Sequence, residues 1–167
     1  MGLFSFIKEA GEKLFGGKEV EAAATQAATD PQAKRSLDAL NDKAARAIEN
    51  YIASQKLGVQ GVRVEYDGAT GTVDVSGQAP TQEALEKVTL CCGNVASVKQ
   101  VNNLMAVSSP EPEAQYHDVV RGDTLSAIAK KYYGDANKYP KIFEANKPML
   151  SHPDKIYPGQ KLRIPAL

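Results

Sequence analysis

Tryptophan is absent from the 167 residues, and cysteine and histidine occur only twice each. The two cysteines, Cys91 and Cys92, are adjacent, a spacing that an ordinary disulfide bridges only with strained geometry. The histidines, His117 and His152, are isolated in the sequence and lack the spacing of a zinc site. We therefore expect a reducing compartment, two small buried cysteines and no transition-metal site.

Neither sign of charge is in excess, since Lys plus Arg and Asp plus Glu each number 20. A balanced charge provides no field that attracts phosphate backbones, so we expect no nucleic-acid partner. No run approaches the roughly 20 apolar residues of a membrane span, and charges at Lys8 and Glu9 interrupt the amino terminus before a secretory apolar stretch could form. We expect a cytoplasmic, monomeric protein without a transmembrane segment.

The amino terminus, residues 1–16, has a short amphipathic pattern. We favour docking of this segment onto the following domain over binding to a membrane surface, because its polar face mixes both signs of charge. Residues 17–34 are rich in Ala and have no large apolar residue except Val20, so we interpret them as a linker or insert, or as a frayed helix. The apolar face of the first segment carries Leu3, Phe4, Ile7, Leu14 and Phe15.

Residues 35–107 have the pattern of a small αββαβ domain. Apolar residues at helical spacing between Ala45 and Ile52 predict a first helix that ends near Leu57, where Gly58 can adopt the left-handed cap. Two segments of alternating apolar residues flank a turn at residues 67–71, which predicts a β-hairpin.

A second helix and a last strand complete this domain. Thr81 is expected to cap the helix, which stops at Gly93-Asn94, and residues 98–107 supply the strand. Residues 108–115 contain two prolines and two acidic residues. These prolines and acidic residues together disfavour the interior of a helix or a sheet, so we interpret residues 108–115 as a linker.

Residues 116–167 have the pattern of a second small domain. A strand at Val119 and Val120 precedes a helix that Asp123 or Thr124 caps. A second helix and a strand over residues 161–164 follow, which gives the order βααβ. The predicted fold class is therefore α+β, with two small domains.

The second domain resembles the LysM family over nearly its full length. The resemblance rests on Tyr116-His-Asp-Val-Val-Arg-Gly-Asp-Thr-Leu-Ser-Ala-Ile-Ala, on Ile142-Phe-Glu-Ala-Asn and on Ile156-Tyr-Pro-Gly-Gln-Lys-Leu-Arg-Ile-Pro. It implies that glycans containing N-acetylglucosamine bind in a shallow groove between two loops. The groove residues that it implies are Gly122, Asp123, Thr124, Leu125, Pro148 and Ile156.

The first domain, over about residues 42–107, is similar to a BON domain. An amino-terminal segment, a BON domain, a linker and a terminal LysM domain together resemble the family of small cytoplasmic bacterial potassium-binding proteins. This resemblance implies that backbone carbonyls hold a potassium ion and that the conformation changes on binding. The carbonyls that it implies belong to Ile7, Lys8, Ala10, Gly93, Val95 and Val98.

Two interpretations of these six residues can hold together. Potassium is a large ion that a cage of neutral carbonyl oxygens can hold, and a helix end offers unpaired carbonyls together with the negative end of the helix dipole. Alternatively, the apolar side chains among them pack the amino-terminal segment on the BON core, and Gly93 is a C-cap glycine.

The sequence supports two main functional hypotheses. The first is a potassium sensor or buffer, and the second is an envelope adaptor that binds peptidoglycan through the LysM groove. A membrane-surface protein acting through Leu3, Phe4 and Phe15 is a third. We expect no enzymatic activity, because no nucleophile, base and orienting residue stand at recognisable positions, and Asp123 suits a helix cap better than a catalytic acid.

Overall fold

The computed structural model describes residues 31–95 and 98–167. The elements of the first part are α1 (Pro31–Ser54), β1 (Gln60–Asp67), β2 (Thr72–Ala79), α2 (Gln82–Gly93), β3 (Gln100–Asn103) and β4 (Ala106–Val107). The elements of the second part are β5 (Gln115–Asp118), α3 (Leu125–Tyr133), a 3₁₀ turn (Ala136–Lys138), α4 (Tyr139–Ala145) and β6 (Lys161–Ile164). The predicted α+β class with αββαβ and βααβ parts is confirmed.

Helix α1 is longer at its start and shorter at its end than the sequence predicts. It begins at Pro31, so residues 31–34, for which we left a linker and a frayed helix open, are helical. Proline suits a first helical position because the N–H that it lacks has no partner there. The helix ends at Ser54, before Leu57. Lys56 already has φ of 53°, and Gly58 follows with φ of 74°.

Strand β2 is the centre of the first sheet. It pairs antiparallel with β1, with Tyr66 opposite Val73, and parallel with β3 and β4. The single predicted strand over residues 98–107 is therefore two short strands. The break lies at Leu104 and Met105, where the Asn103 side chain accepts a hydrogen bond from the Met105 N–H at 3.0 Å and takes the place of the ladder.

Helix α2 begins as predicted, because the Thr81 hydroxyl oxygen accepts a hydrogen bond from the Ala84 N–H at 3.1 Å. Its inner face carries Val88, Leu90, Cys91 and Cys92, all at most 1% exposed. The helix therefore covers the sheet on the side that also receives α1.

The second part has one strand in a different place from the prediction. Val119 and Val120 follow β5 and are not in it, whereas Gln115, which we assigned to the linker, begins it. The pairing of β5 with β6 sets this boundary, since Asp118 opposite Lys161 is the last pair of the ladder. Thr124, and not Asp123, caps α3 through a hydrogen bond from the Ala127 N–H.

The buried apolar side chains of both parts form one continuous cluster. Its largest fully buried members include Ile48 and Ile52 of α1 and Ile128, Leu150 and Leu162 of the second part. Helix α2 packs against β6, so the second part lies along this helix, from Glu86 to Gly93. Among the described residues, no helix is long and apolar enough to cross a membrane.

Candidate metal centre

The structure describes three of the six residues to which the carbonyl site was assigned. Gly93 is the last residue of α2, and Val95 and Val98 lie in the turn that connects α2 to β3. Ile7, Lys8 and Ala10 lie outside the described residues.

The backbone after α2 uses some of its carbonyls and leaves others available. The Leu90 carbonyl accepts a hydrogen bond from the Asn94 N–H at 3.0 Å, and the Val95 carbonyl accepts one from the Val98 N–H at 3.2 Å. Outside the regular helices and strands, the backbone hydrogen bonds within residues 31–95 and 98–167 include none to the Gly93 carbonyl. Since a carbonyl oxygen has two lone pairs, both Gly93 and Val95 retain the capacity to coordinate a cation.

Gly93 is not the C-cap glycine that the packing interpretation assigned. The cap is Asn94, with φ of −91° and ψ of 1°, and Gly93 is still helical. The reason for a glycine is its neighbour in the second part: a Cβ at Gly93 would lie 3.3 Å from Cδ of Lys161. The missing side chain therefore makes room for the Lys161 stem.

Asn94 joins the end of α2 to strand β6. Its side-chain amide donates from Nδ2 to the Lys161 carbonyl at 3.1 Å, and its Oδ1 accepts from the Lys161 N–H at 2.8 Å. Asn94 is 7% exposed, so water competes little for these bonds. A residue of the first part thus completes the hydrogen bonding of a strand in the second.

Asn146 makes the same pair of bonds to Arg163, two residues further along β6. Its Nδ2 donates to the Arg163 carbonyl and its Oδ1 accepts from the Arg163 N–H, both at 2.8 Å. Neighbouring residues of an antiparallel strand direct their backbone polar groups to opposite edges, so Lys161 and Arg163, which are two residues apart, direct theirs to the same edge. The outer edge of β6 is therefore closed by two asparagine amides, one from each part of the chain.

A buried ion pair makes the second polar connection between the two parts. The Glu86 carboxylate, on α2, accepts hydrogen bonds from Nε of Arg163, from Nε2 of Gln82 and from the Ala114 N–H. The two charged side chains are 3% and 10% exposed. Glu86 thereby holds β6 and the segment that precedes β5 on the same face of α2.

The other end of the turn after α2 is fixed to the β1–β2 hairpin. The Gly71 carbonyl accepts hydrogen bonds from the N–H groups of Lys99 and Gln100, at 2.7 and 3.2 Å. Both ends of the candidate carbonyl segment are thus anchored, the first by the cap and Lys161, the second by the hairpin.

Five of the six residues of the implied glycan groove lie on two loops of the second part, and the sixth, Leu125, is the first residue of α3. The loops meet at Val119, which accepts from the Gly159 N–H at 2.7 Å and donates to the Gln160 carbonyl at 2.8 Å. The six groove residues differ in exposure: Gly122, Thr124 and Pro148 are exposed, Asp123 and Ile156 are partly buried, and Leu125 is buried.

His117 is braced, in contrast to its isolation in the sequence. Its Nε2 lies 2.8 Å from Oδ2 of Asp123 and its Nδ1 lies 3.1 Å from the Tyr132 hydroxyl. The same Asp123 oxygen accepts from the Val120 N–H at 3.0 Å. The hydrogen bond from the Val120 N–H lowers the pKa of the Asp123 carboxyl most, and the contact with His117 lowers it further. The carboxylate therefore stays ionised and holds the first groove loop. In the sequence, the only sign of this hydrogen-bonded group was the spacing of its three polar residues, His117, Asp123 and Tyr132.

Among the described residues, no three His, Cys, Asp or Glu side chains form a group suited to a metal ion. The Gly93 and Val95 carbonyls are neutral oxygen donors, the kind of donor that can replace the water shell of K⁺.

Comparison with known proteins agrees with this architecture. A family model of the BON domain matches residues 40–109, and one of the LysM domain matches residues 117–165. The potassium binding protein Kbp of Escherichia coli is 43% identical over 166 residues, which cover 99% of both chains. An uncharacterised Deinococcus radiodurans protein is 54% identical over 50 residues, 30% of this chain and 19% of that protein. A Mycobacterium tuberculosis esterase is 45% identical over 53 residues, 32% of this chain and 11% of the esterase. The chain therefore belongs to the family of bacterial BON–LysM proteins that includes the potassium binding protein Kbp.

Proposed function

We propose that this chain binds K⁺ through backbone carbonyls around the carboxyl end of α2. The observation that carries the proposal is the 43% identity, over 99% of both chains, to a protein named for potassium binding. The donor chemistry supports it, because the Gly93 and Val95 carbonyls stand at a helix end, where the dipole favours a cation.

The ligand set of this proposal has two halves. Gly93, Val95 and Val98 supply carbonyls from the turn after α2, and the amino-terminal segment, residues 1–16, docks on the BON domain and supplies those of Ile7, Lys8 and Ala10. The linker proposed over residues 17–34 joins the amino-terminal segment to the BON domain, and its last four residues are the start of α1. The proposed domain boundaries are 35–107 for BON and 116–167 for LysM.

Binding that joins two distant segments also selects a conformation. An ion shifts the population toward the state in which both halves of its cage are present, by as much as its affinity differs between the states. The proposed role is thus a cytoplasmic potassium sensor or buffer that becomes more compact when K⁺ binds, and not an enzyme.

Calorimetric titration of the metal-stripped protein tests the binding step. We expect a saturable heat with potassium chloride and none with sodium chloride at the same ionic strength. Small-angle scattering under the same two conditions tests the conformational step, with a smaller radius of gyration expected in K⁺. Absence of a saturable potassium signal would refute the proposed function, whereas binding with an unchanged radius would refute only the compaction.

Glycan binding is the second candidate, favoured by the LysM family match over residues 117–165. The two groove loops meet at Val119, and the exposed backbone at Gly122, Thr124 and Pro148 could receive a sugar chain. The end of the second loop is less accessible, since Tyr157 is partly buried and burial raises its pKa to about 12. Titration with N-acetylglucosamine oligomers tests this candidate, and the absence of a saturable signal would refute it.

A further inference from the structure

Lys161 brings a positive charge to the turn where the proposed potassium carbonyls lie. Its backbone N–H and C=O are both bonded to the side chain of Asn94, and Asn94 stands between Gly93 and Val95. The position of Lys161 is therefore tied to the turn itself, although it belongs to the LysM domain.

The side chain of Lys161 runs across the last turn of α2. Its Cδ and Cε would lie 3.3 and 3.5 Å from a Cβ at Gly93. Because Nζ is one bond of about 1.5 Å beyond Cε, the ammonium is no more than about 8 Å from the Gly93 carbonyl oxygen on ordinary bond lengths. Only a glycine at position 93 permits this approach without displacement of the stem.

The ammonium has an anionic partner on the neighbouring strand. Lys161 and Asp118 are opposite each other in the β5–β6 ladder, and Nζ lies 2.9 Å from Oδ1 of Asp118. The lysine side chain is 31% exposed and the aspartate side chain is 70% exposed. The pair is therefore a partly screened dipole with its positive end toward the turn.

We propose that Lys161 and Asp118 set the affinity of the potassium site in opposite directions. The Lys161 ammonium repels a cation held by the Gly93 and Val95 carbonyls, and Asp118 offsets part of that repulsion. This inference rests on the proposed function, because it needs an ion in the turn. It assigns to the LysM domain an electrostatic contribution to a site whose donors are backbone atoms of other segments.

The expected effect is small and depends on salt. If the Lys161 ammonium and the bound K⁺ are about 9 Å apart, at an effective dielectric constant of about 40, their repulsion changes the binding constant by about fivefold. At an ionic strength of about 0.1 M the Debye length is about 10 Å, and screening reduces the change in the binding constant to about twofold. At about 1 M the Debye length is about 3 Å, and the change vanishes.

Two substitutions with opposite expected signs test the inference in the full-length protein. Lys161→Met keeps the stem over Gly93 and removes the charge, so its dissociation constant for K⁺ should fall about twofold at low salt. Asp118→Asn keeps the shape and leaves the ammonium unpaired, so its constant should rise by a similar factor. Potassium chloride titrations at both ionic strengths, held constant with choline chloride, should show the difference between the variants disappear in high salt.

The outcomes separate this inference from the proposed function. If the unchanged protein binds K⁺ but Lys161→Met binds it equally or more weakly at low salt, the electrostatic role is wrong and the potassium site stands. If both variants weaken binding at both ionic strengths, Lys161 and Asp118 only hold the fold, and the inference is likewise overturned. If the unchanged protein shows no saturable binding, both the site and the inference fail.

Discussion

The buried pair between Glu86 and Arg163 gives the strongest stability prediction. Substitution of Arg163 by Met keeps most of the side-chain volume but removes the guanidinium. The Glu86 carboxylate then remains 2% exposed with hydrogen bonds only from Gln82 and the Ala114 N–H. A buried charge without its partner is strongly unfavourable.

The magnitude follows from how much of the pair is buried. Breaking a buried ion pair by removing one partner destabilises proteins by about 3–5 kcal/mol. Glu86 keeps two neutral donors, so we expect the lower end, about 3 kcal/mol less free energy of unfolding for Arg163→Met. Urea unfolding followed by far-ultraviolet circular dichroism measures this loss. If the slope of the free energy of unfolding against urea concentration is unchanged, both proteins undergo the same unfolding reaction.

Two further variants make the measurement decisive. In Glu86→Gln with Arg163→Met, the neutral amide still accepts from the Ala114 N–H, so the double variant should recover about 1–2 kcal/mol of what the single variant loses. Arg46→Met removes an exposed arginine of α1 and should change stability by about 0.5 kcal/mol or less. A loss below about 1 kcal/mol for Arg163→Met would show that water already solvates the pair and would refute the argument.

Three other predictions follow from burial and hydrogen bonding. Ile48→Ala, at a position 1% exposed, should lower the free energy of unfolding by about 2–5 kcal/mol in urea titrations. Because burial raises the pKa of Cys91 to about 12 and raises that of Cys92 as well, neither thiol should react with a thiol reagent at neutral pH until the protein is unfolded. The lowered pKa of Asp123 contributes stability above the ordinary carboxyl pKa that is lost as pH falls through the folded value, and Asp123→Asn should remove this part of the acid dependence.

Each of these three predictions would be contradicted by a specific result. A loss under about 1 kcal/mol for Ile48→Ala would mean that the core between α1 and the sheet collapses around the gap. Rapid labelling of the folded protein would mean that α2 opens locally. Identical pH dependence of unfolding for Asp123→Asn and the unchanged protein would mean that the His117 brace does not depend on the charge.

Periodic patterns in the sequence predicted most of the elements, because helices and strands repeat their apolar residues at fixed spacing. The errors lie where side chains replace regular backbone bonds. The strand predicted over residues 98–107 is broken because the Asn103 side chain bonds the Met105 N–H. The spacing from Val101 to Leu104 already departs from strict alternation, and this was the available signal.

The surroundings of the candidate site could not be predicted, because they depend on contacts between residues far apart in sequence. Asn94 and Lys161 are separated by 67 residues, and Glu86 and Arg163 by 77. Bonds from a side chain to a distant backbone leave no period in either segment. Gly93 illustrates the consequence: its place at a helix end suggested a C-cap glycine, whereas the structure relates its missing side chain to the stem of Lys161.

The closed outer edge of β6 connects the candidate site to the LysM domain. A two-stranded sheet is marginal alone, and its open edge would leave backbone groups without partners. The backbone N–H and C=O of Arg163 are bonded by the side chain of Asn146, which belongs to the LysM domain. Those of Lys161 are bonded by the side chain of Asn94, which belongs to the BON domain. Any movement of the backbone at position 94 must therefore either carry Lys161 with it or break two hydrogen bonds at a buried position. If K⁺ binding moves the turn after α2, the position of the Lys161 charge should therefore change with it unless these two bonds break.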